Sequence, residues 1–112
     1  MSVKTKDVFV LLSAATNNGQ SPTLSIPAGK RTIEAFVTGT GAIAASIAWY
    51  GCNTNRITGG YNFANTTLSD NNAAYSGGGD TSSTPIAEWP YMYCVLTGIS
   101  GTNAAVTATV GV

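Results

Sequence analysis

The sequence predicts an all-β protein, either an antiparallel β-sandwich or a jelly-roll-like barrel of about six to eight strands, with little or no helix. No stretch repeats its apolar residues at the helical period, whereas turn residues recur every eight to twelve residues or so. Several apolar stretches instead alternate at period two, as a strand with one buried face does. The 112 residues, 1–112, fit one domain, since cores of about 100–150 residues are the commonest size.

The first predicted strand is the apolar run Val-Phe-Val-Leu-Leu at residues 8–12, which is rich in strand-forming residues. The Asn18-Gly19 pair that follows is a strong hairpin signal between two apolar runs. The return segment, residues 21–27, contains Pro22 and Pro27, which cannot donate ladder hydrogen bonds. We therefore expect this segment on a sheet edge.

Two further strands are predicted on either side of the turn sequence Thr-Gly-Thr-Gly at residues 38–41. Residues 30–39 alternate, with Glu34 on the solvent side and an apolar face formed by Ile33, Ala35 and Val37. Residues 43–50 contain helix-favouring alanines, but glycines bracket this short segment. Its larger apolar residues recur at period two, which favours a strand: Ile43, Ala45, Ile47 and Trp49.

Residues 51–88 differ in composition from the rest of the chain, because Asn, Thr, Ser and Gly dominate there. We predict a long loop region with one or two short strands, near residues 57–63 and 85–89. Long loops inside a compact domain usually serve a function or are disordered.

The last segment, residues 89–112, is predicted to form a β-hairpin. Residues 91–97 are aromatic, β-branched or otherwise large and apolar, and Gly98-Ile-Ser-Gly-Thr-Asn103 supplies turn chemistry. After this turn, valine and alanine alternate with smaller or polar residues, so one face of the final strand is apolar.

Composition excludes some partners and favours others. Charged residues are 9% of the chain and the net charge is zero, against a usual charged share of about 25%. A surface with so little self-repulsion associates readily, which suits a protein that lives in an assembly. The only basic pair is Lys30-Arg31, so we expect no nucleic-acid partner. Nothing approaches a membrane span or a signal peptide, which predicts synthesis in a cytoplasm and no membrane partner.

The reactive residues do not indicate an enzyme. Histidine is absent and the five acidic residues are scattered, so we expect no catalysis, no cofactor and no small-molecule substrate. Asp70, Asn71, Asn72 and Asp80 could offer calcium oxygens, but they lack an EF-hand spacing and are interpreted as turn residues. Cys52 and Cys94 are interpreted as reduced, buried small residues, with a disulfide as the alternative.

The aromatic residues have three interpretations: a sugar-binding face, anchors of subunit contacts, or core. Core is favoured for Trp49 and Tyr93. All three interpretations stay open for the remaining aromatic residues.

Two segments resemble small β-sandwich virion proteins of tailed bacteriophages. Residues 26–55 carry the Gly-Thr-Gly turn followed by an apolar strand, and residues 89–112 carry Pro-Tyr and Thr-Gly-x-x-Gly-Thr before a Val/Thr-rich end. The likeness covers about half of the chain and consists of strands and turns. Residues 69–83 do not match, and Cys52 stands where serine is usual.

The resemblance implies a non-enzymatic decoration or cement protein on the exterior of a virion capsid, made in the host cytoplasm. Its implied partners are the major capsid protein and itself, as a homotrimer. Under this interpretation the N-terminal arm (residues 1–7) and the region 51–88 make contacts. The candidate interface residues are Val3, Lys4, Lys6, Tyr61, Phe63, Tyr75, Trp89 and Tyr91. The alternatives are a tail, neck or baseplate component of the same fold, and a carbohydrate-binding module.

Overall fold

The computed structural model describes residues 7–28, 31–70, 81–86 and 89–112. Every regular element in these ranges is a strand, and all pairings are antiparallel. The strands are β1 (Val8–Ala15), β2 (Gly19–Gln20), β3 (Leu24–Ser25), β4 (Arg31–Cys52), β5 (Tyr61–Asp70), β6 (Thr81–Ile86) and β7 (Tyr91–Gly111). The prediction of an all-β antiparallel fold is therefore confirmed.

Two very long strands, β4 with 22 residues and β7 with 21, form the spine of the sheet. They pair along almost their whole length. One half of this ribbon is flanked by β6 and β1, and the other half by β5 on one side and by β2 and β3 on the other. The buried residues of both halves form one contiguous core, so the halves pack in a sandwich-like arrangement.

The alternation predicted for the core is present in both halves. On β4 the buried side chains are mostly at odd positions, with Ala48 and Cys52 as exceptions, and on β7 they are mostly at even ones, as period two requires. Trp49 is completely buried in the core, which confirms its assignment. Tyr93 is also buried, at 2% exposed, but it lies outside the main core cluster. Glu34 is exposed on the opposite face of β4, as predicted.

The predicted C-terminal hairpin is wrong, because β7 is one strand that bends. Gly101 (φ +115°) and Asn103 (φ +55°) do adopt the backbone that their turn signal predicts. They produce an irregularity in the ladder with β4, and the chain does not reverse there. The register shifts at the bend, so that Ala45 pairs with Ile99, and it returns to its original value between Ser46 and Ile47.

The turn predicted at residues 38–41 is likewise a bend inside β4, at the same level as the bend of β7. Gly39 and Gly101 both border Ile43: an added Cβ would lie 2.7 Å and 2.5 Å, respectively, from its Cγ2 atom. Only residues without a side chain fit so close to that methyl group. The two glycines therefore let both strands bend together around Ile43.

The Asn18-Gly19 hairpin is also wrong. β1 pairs with the C-terminal half of β7, whereas β2 and β3 pair with its N-terminal half, so the chain crosses from one half of the sheet to the other after Ala15. The edge placement of residues 21–27 is confirmed, since β3 pairs only with β7 among the described strands. Pro22 and Pro27 lie outside the strands.

Within residues 51–88 the structure contains a longer strand than expected. β5 begins at Tyr61 and pairs with β4 through Asp70, although Asn, Thr and Ser make up much of its sequence. β6 pairs with residues 31–36 of β4 and overlaps the predicted second strand only at Pro85 and Ile86. The predicted calcium alternative falls mainly on residues 71–80, outside the described residues.

Candidate interaction surface

The connection between β4 and β5, residues 53–60, folds over the outer face of the sheet. We call it the β4–β5 loop. Gly60 N–H donates a 3.0 Å hydrogen bond to the hydroxyl oxygen of Tyr93, whose ring stacks on Tyr50 with centroids 4.9 Å apart. Gly59 has φ +81°, a conformation that glycine adopts without strain. The loop therefore buries the outer face of Tyr93.

Two side chains from the neighbouring edge hold the middle of this loop. Gln20 Nε2 donates to the carbonyl oxygen of Ile57, and Thr23 Oγ1 donates to that of Arg56. Gln20 lies on β2 and Thr23 just before β3, on the side of β7 away from β4. The loop thus reaches across β7 and is fastened in its middle and at Gly60, so its conformation is set by contacts within the chain.

This organised loop presents apolar side chains to solvent. Ile57 is 77% exposed and Tyr61, the first residue of β5, is 66% exposed. Single exposed apolar residues are common on protein surfaces. Two large ones, one in the middle of a fastened loop and one directly after it, on a surface with few charges, favour a contact with another protein.

Three aromatic rings, those of Tyr61, Phe63 and Trp89, close one end of the core. Trp89 lies 5.9 Å from Tyr61 and 6.4 Å from Phe63, measured between ring centroids, with interplanar angles of 31° and 23°. Trp89 also lies against Gly51, where an added Cβ would come within 2.2 Å of its Cγ atom. The face of the indole that meets β4 is therefore occupied by the protein itself.

A buried arginine fixes the backbone at the same end. Arg31 is 2% exposed, and its guanidinium donates to the carbonyl oxygens of Pro27, at 2.7 Å, and Trp89. A buried charge is stable only where hydrogen bonds compensate for lost water. Arg31 consequently holds the segments before β4 and β7 together and sets the position of Trp89.

The two cysteines are buried and not bonded to each other. Burial raises the pKa of the Cys94 thiol from 9.0 to about 12, while a hydrogen bond with the Ser21 side chain acts in the opposite direction. This thiol therefore stays protonated at neutral pH, and a protonated thiol is a poor nucleophile and metal ligand.

Among residues 7–28, 31–70, 81–86 and 89–112, no three His, Cys, Asp or Glu side chains gather where they could hold a metal ion. In the same part of the chain, no helix is long and apolar enough to cross a membrane.

The structure brings together three of the predicted interface residues: Tyr61, Phe63 and Trp89. Tyr61 is exposed, whereas Phe63 and Trp89 are half-buried against the core. Tyr91 is half-buried at the start of β7, where it pairs with Ser25 and Cys52. The remaining candidates lie outside the described residues: Val3, Lys4, Lys6 and Tyr75.

Sequence reasoning missed Ile57 as a surface residue, because residues 57–63 were assigned to a strand. Its neighbours at residues 53–56 and 58–60 are polar or glycine. A lone large aliphatic residue in such a stretch is the signal that could have identified it.

No protein-family model, no curated protein and no solved structure matches this chain. The likeness to virion proteins of tailed phages consequently remains an expectation from the sequence.

Proposed function

We propose that this chain is a non-enzymatic structural protein of a tailed-phage virion, a capsid decoration protein that binds the outer shell at capsomer junctions. The observation that carries the proposal is the fastened β4–β5 loop, with Ile57 exposed in its middle and Tyr61 exposed directly after it. The geometry supports docking to a protein. The sequence resemblance supplies the kind of partner, the major capsid protein, and the homotrimeric state.

The energetics of such a surface suit repeated docking. Burying an exposed isoleucine or tyrosine removes apolar area from water, worth about 1.5–3 kcal/mol for a large aliphatic side chain. A loop already held in its bound conformation loses less entropy when a partner binds. With zero net charge, the chain has little long-range electrostatic steering, so shape and apolar contact decide the fit.

A decoration protein stabilises a shell by adding contacts across the boundaries between capsomers. An interface of standard size buries about 1,600 Å². Many such contacts act together once each copy touches two neighbours, because the second contact forms at high effective concentration.

The first test is the copy number in purified particles of the virus whose genome encodes the chain, measured by quantitative mass spectrometry. Hundreds of copies per particle support the decoration role. A few to dozens would replace it with a tail, neck or baseplate role, and absence from particles would refute both.

The second test is binding of the purified protein to undecorated shells. Ile57→Asp and Tyr61→Ala should each weaken binding by at least about ten-fold, which corresponds to about 1.4 kcal/mol. Thr67→Asp is the matched control, because Thr67 is exposed on β5 away from the loop. Equal binding by all four proteins would show that this loop does not dock.

A carbohydrate-binding role needs exposed aromatic planes on which sugar rings can stack. Trp89 is half-buried, and one of its faces is against Gly51. Tyr61 is the better exposed ring. Binding to purified polysaccharides that is lost in Tyr61→Ala would favour this role over the virion role.

A further inference from the structure

The outer edge of β1 is open in the described part of the chain, where this strand pairs with β7 alone. Its eight residues, Val-Phe-Val-Leu-Leu-Ser-Ala-Ala, contain neither charge nor proline. Natural proteins usually protect such an edge with lysine, proline or a covering segment. An unprotected apolar edge is suited to pairing with another strand.

The hydrogen bonds at the start of β1 show which backbone groups face outward. Asp7 and Val112 exchange both of their bonds, Asp7 N–H to Val112 O at 2.9 Å and Val112 N–H to Asp7 O at 2.8 Å. Because such pairs alternate along an antiparallel ladder, Phe9 bonds inward to Val110. The N–H and C=O groups of Val8 and Val10 therefore point away from β7.

The same two residues are also the exposed apolar side chains of the strand. Val8 is 61% exposed and Val10 is 51% exposed, on the outer face of the sheet. After Val10 the pairing with β7 shifts twice, and Ala14 has φ +50°. The regular part of the open edge is consequently short and ends at Val10.

We propose that β1 pairs antiparallel with β1 of a second copy of this chain, about a two-fold axis at Phe9. Val8 then lies opposite Val10 of the second copy, and Val10 opposite its Val8. Each of these two pairs exchanges two hydrogen bonds, so all four outward groups of each copy are satisfied. The sheets of the two copies become continuous across the axis.

A second copy fits this edge because the arrangement is self-complementary. A two-fold axis places β1 of one copy against β1 of the other, so any charge on the strand would face a like charge. Residues 8–15 carry no charge. The contact uses the open β1 edge of both copies, so taken by itself it closes as a pair instead of growing into a fibre. It does not depend on the proposed function, because the β4–β5 loop belongs to the other half of the sheet.

The contact is small, since a standard interface buries about 800 Å² on each partner. Disulfide trapping is therefore the suitable measurement. Residues opposite each other in a bonded pair have Cα atoms about 5.5 Å apart, within the range that a disulfide spans. The same residue in the two copies, for example Val8 and the second Val8, is offset by two positions in this arrangement, so the two lie roughly 7–8 Å apart.

The experiment mixes a tagged Val8→Cys variant with an untagged Val10→Cys variant under mild oxidation and follows dimers on non-reducing gels. The mixed dimer should form at least about ten-fold faster than in a mixture of Ile57→Cys and Val10→Cys, because pairing raises the effective thiol concentration. Ile57 is the more exposed position, so it is a stringent control. The native thiols are buried and do not compete.

Equal rates in the two mixtures would overturn the proposal. Faster dimer formation by either variant alone than by the mixture would overturn the register. A further variant adds Val8→Pro to the Val10→Cys protein, which removes an outward N–H group. When this double variant is mixed with the Val8→Cys protein, the mixed dimer should form only at the control rate, while the thermal unfolding of the double variant is preserved. An unchanged rate in that folded variant would also overturn the pairing.

Discussion

The packing of Trp89 on Gly51 makes a sharp prediction for the variant Gly51→Ala. A Cβ at this position would lie 2.2, 2.3 and 2.6 Å from the Cγ, Cδ2 and Cδ1 atoms of Trp89. Carbon atoms in contact are normally about 3.5–4.0 Å apart, so the ring must move by more than about 1 Å. These are atoms at the base of the ring, close to the backbone, and they cannot swing aside as a flexible chain end can.

The cost follows from what the moving ring contacts. Overpacking in a well-packed site costs about 1–3 kcal/mol, and each aromatic pair is worth about 0.5–1.5 kcal/mol beyond its buried area. Trp89 contacts Tyr61 and Phe63, so we expect Gly51→Ala to lower the free energy of unfolding by about 2–4 kcal/mol. For a chain of this size that corresponds to a fall in Tm of about 8–16 °C.

Urea unfolding followed by tryptophan fluorescence measures this change, and the slope of the transition should stay constant. The matched control is Gly98→Ala, because no heavy atom lies within 4 Å of a Cβ built at Gly98. If the two variants have the same stability within about 0.5 kcal/mol, the packing argument fails. In a Trp89→Leu background, the cost of Gly51→Ala should shrink by at least about 1 kcal/mol, since the ring is gone.

Three further predictions concern buried groups. Thr66→Val should lower the free energy of unfolding by about 1–3 kcal/mol, because Trp49 Nε1–H donates to Thr66 Oγ1 at 3.0 Å and would lose this partner. Thr66→Ser keeps the hydroxyl group and should not have this cost, and urea unfolding can measure both variants. Leu68→Ala should cost about 2–5 kcal/mol in the same assay, because Leu68 is completely buried. Since the folded pKa of Cys94 is raised from 9.0 to about 12, the unfolded state loses this proton first. Stability relative to Cys94→Ala should therefore fall as pH rises from about 9 to 12, by up to about 1.4 kcal/mol per unit, and a constant difference would contradict this.

The core could be predicted because alternation is a local signal that the fold obeys. Ile33, Ala35 and Val37 point inward as their spacing requires, and Trp49 lies on the same face further along β4. Alanine-rich residues 43–50 form a strand despite their helical propensity, because the large side chains at period two must all reach one core. Burial in the core therefore outweighs the helical propensity of the alanines in this segment.

Topology could not be predicted in the same way, because turn residues report backbone conformation and not chain direction. Gly101 and Asn103 adopt positive φ, as their residue types indicate. Whether such residues reverse a chain or bend a strand depends on what pairs with the strand. Here β4 runs alongside β7 through the bend and keeps it extended.

The surface was predicted only where aromatic residues marked it. Tyr61 was identified as a contact candidate, and the structure exposes it. Ile57 and the β1 edge were missed, since exposure of an aliphatic residue depends on which elements cover it. Val8 and Val10 are apolar members of an apolar strand, and only the pairing of β1 shows that their outward backbone groups lie on an edge.

The bend also explains why both candidate surfaces lie at edges. A spine of two long strands that bends on itself encloses its core without helices in the described part of the chain, and it leaves two rows of edges on each half. β1 borders one half, while β2 and β3 border the other and anchor the β4–β5 loop through Gln20 and Thr23. Because the crossing between β1 and β2 separates these edges, one chain can dock through the loop and pair through β1 at the same time. A variant at Ile57 should therefore leave β1 pairing unchanged, and a variant at Val8 should leave loop docking unchanged, which disulfide trapping and shell binding can measure independently.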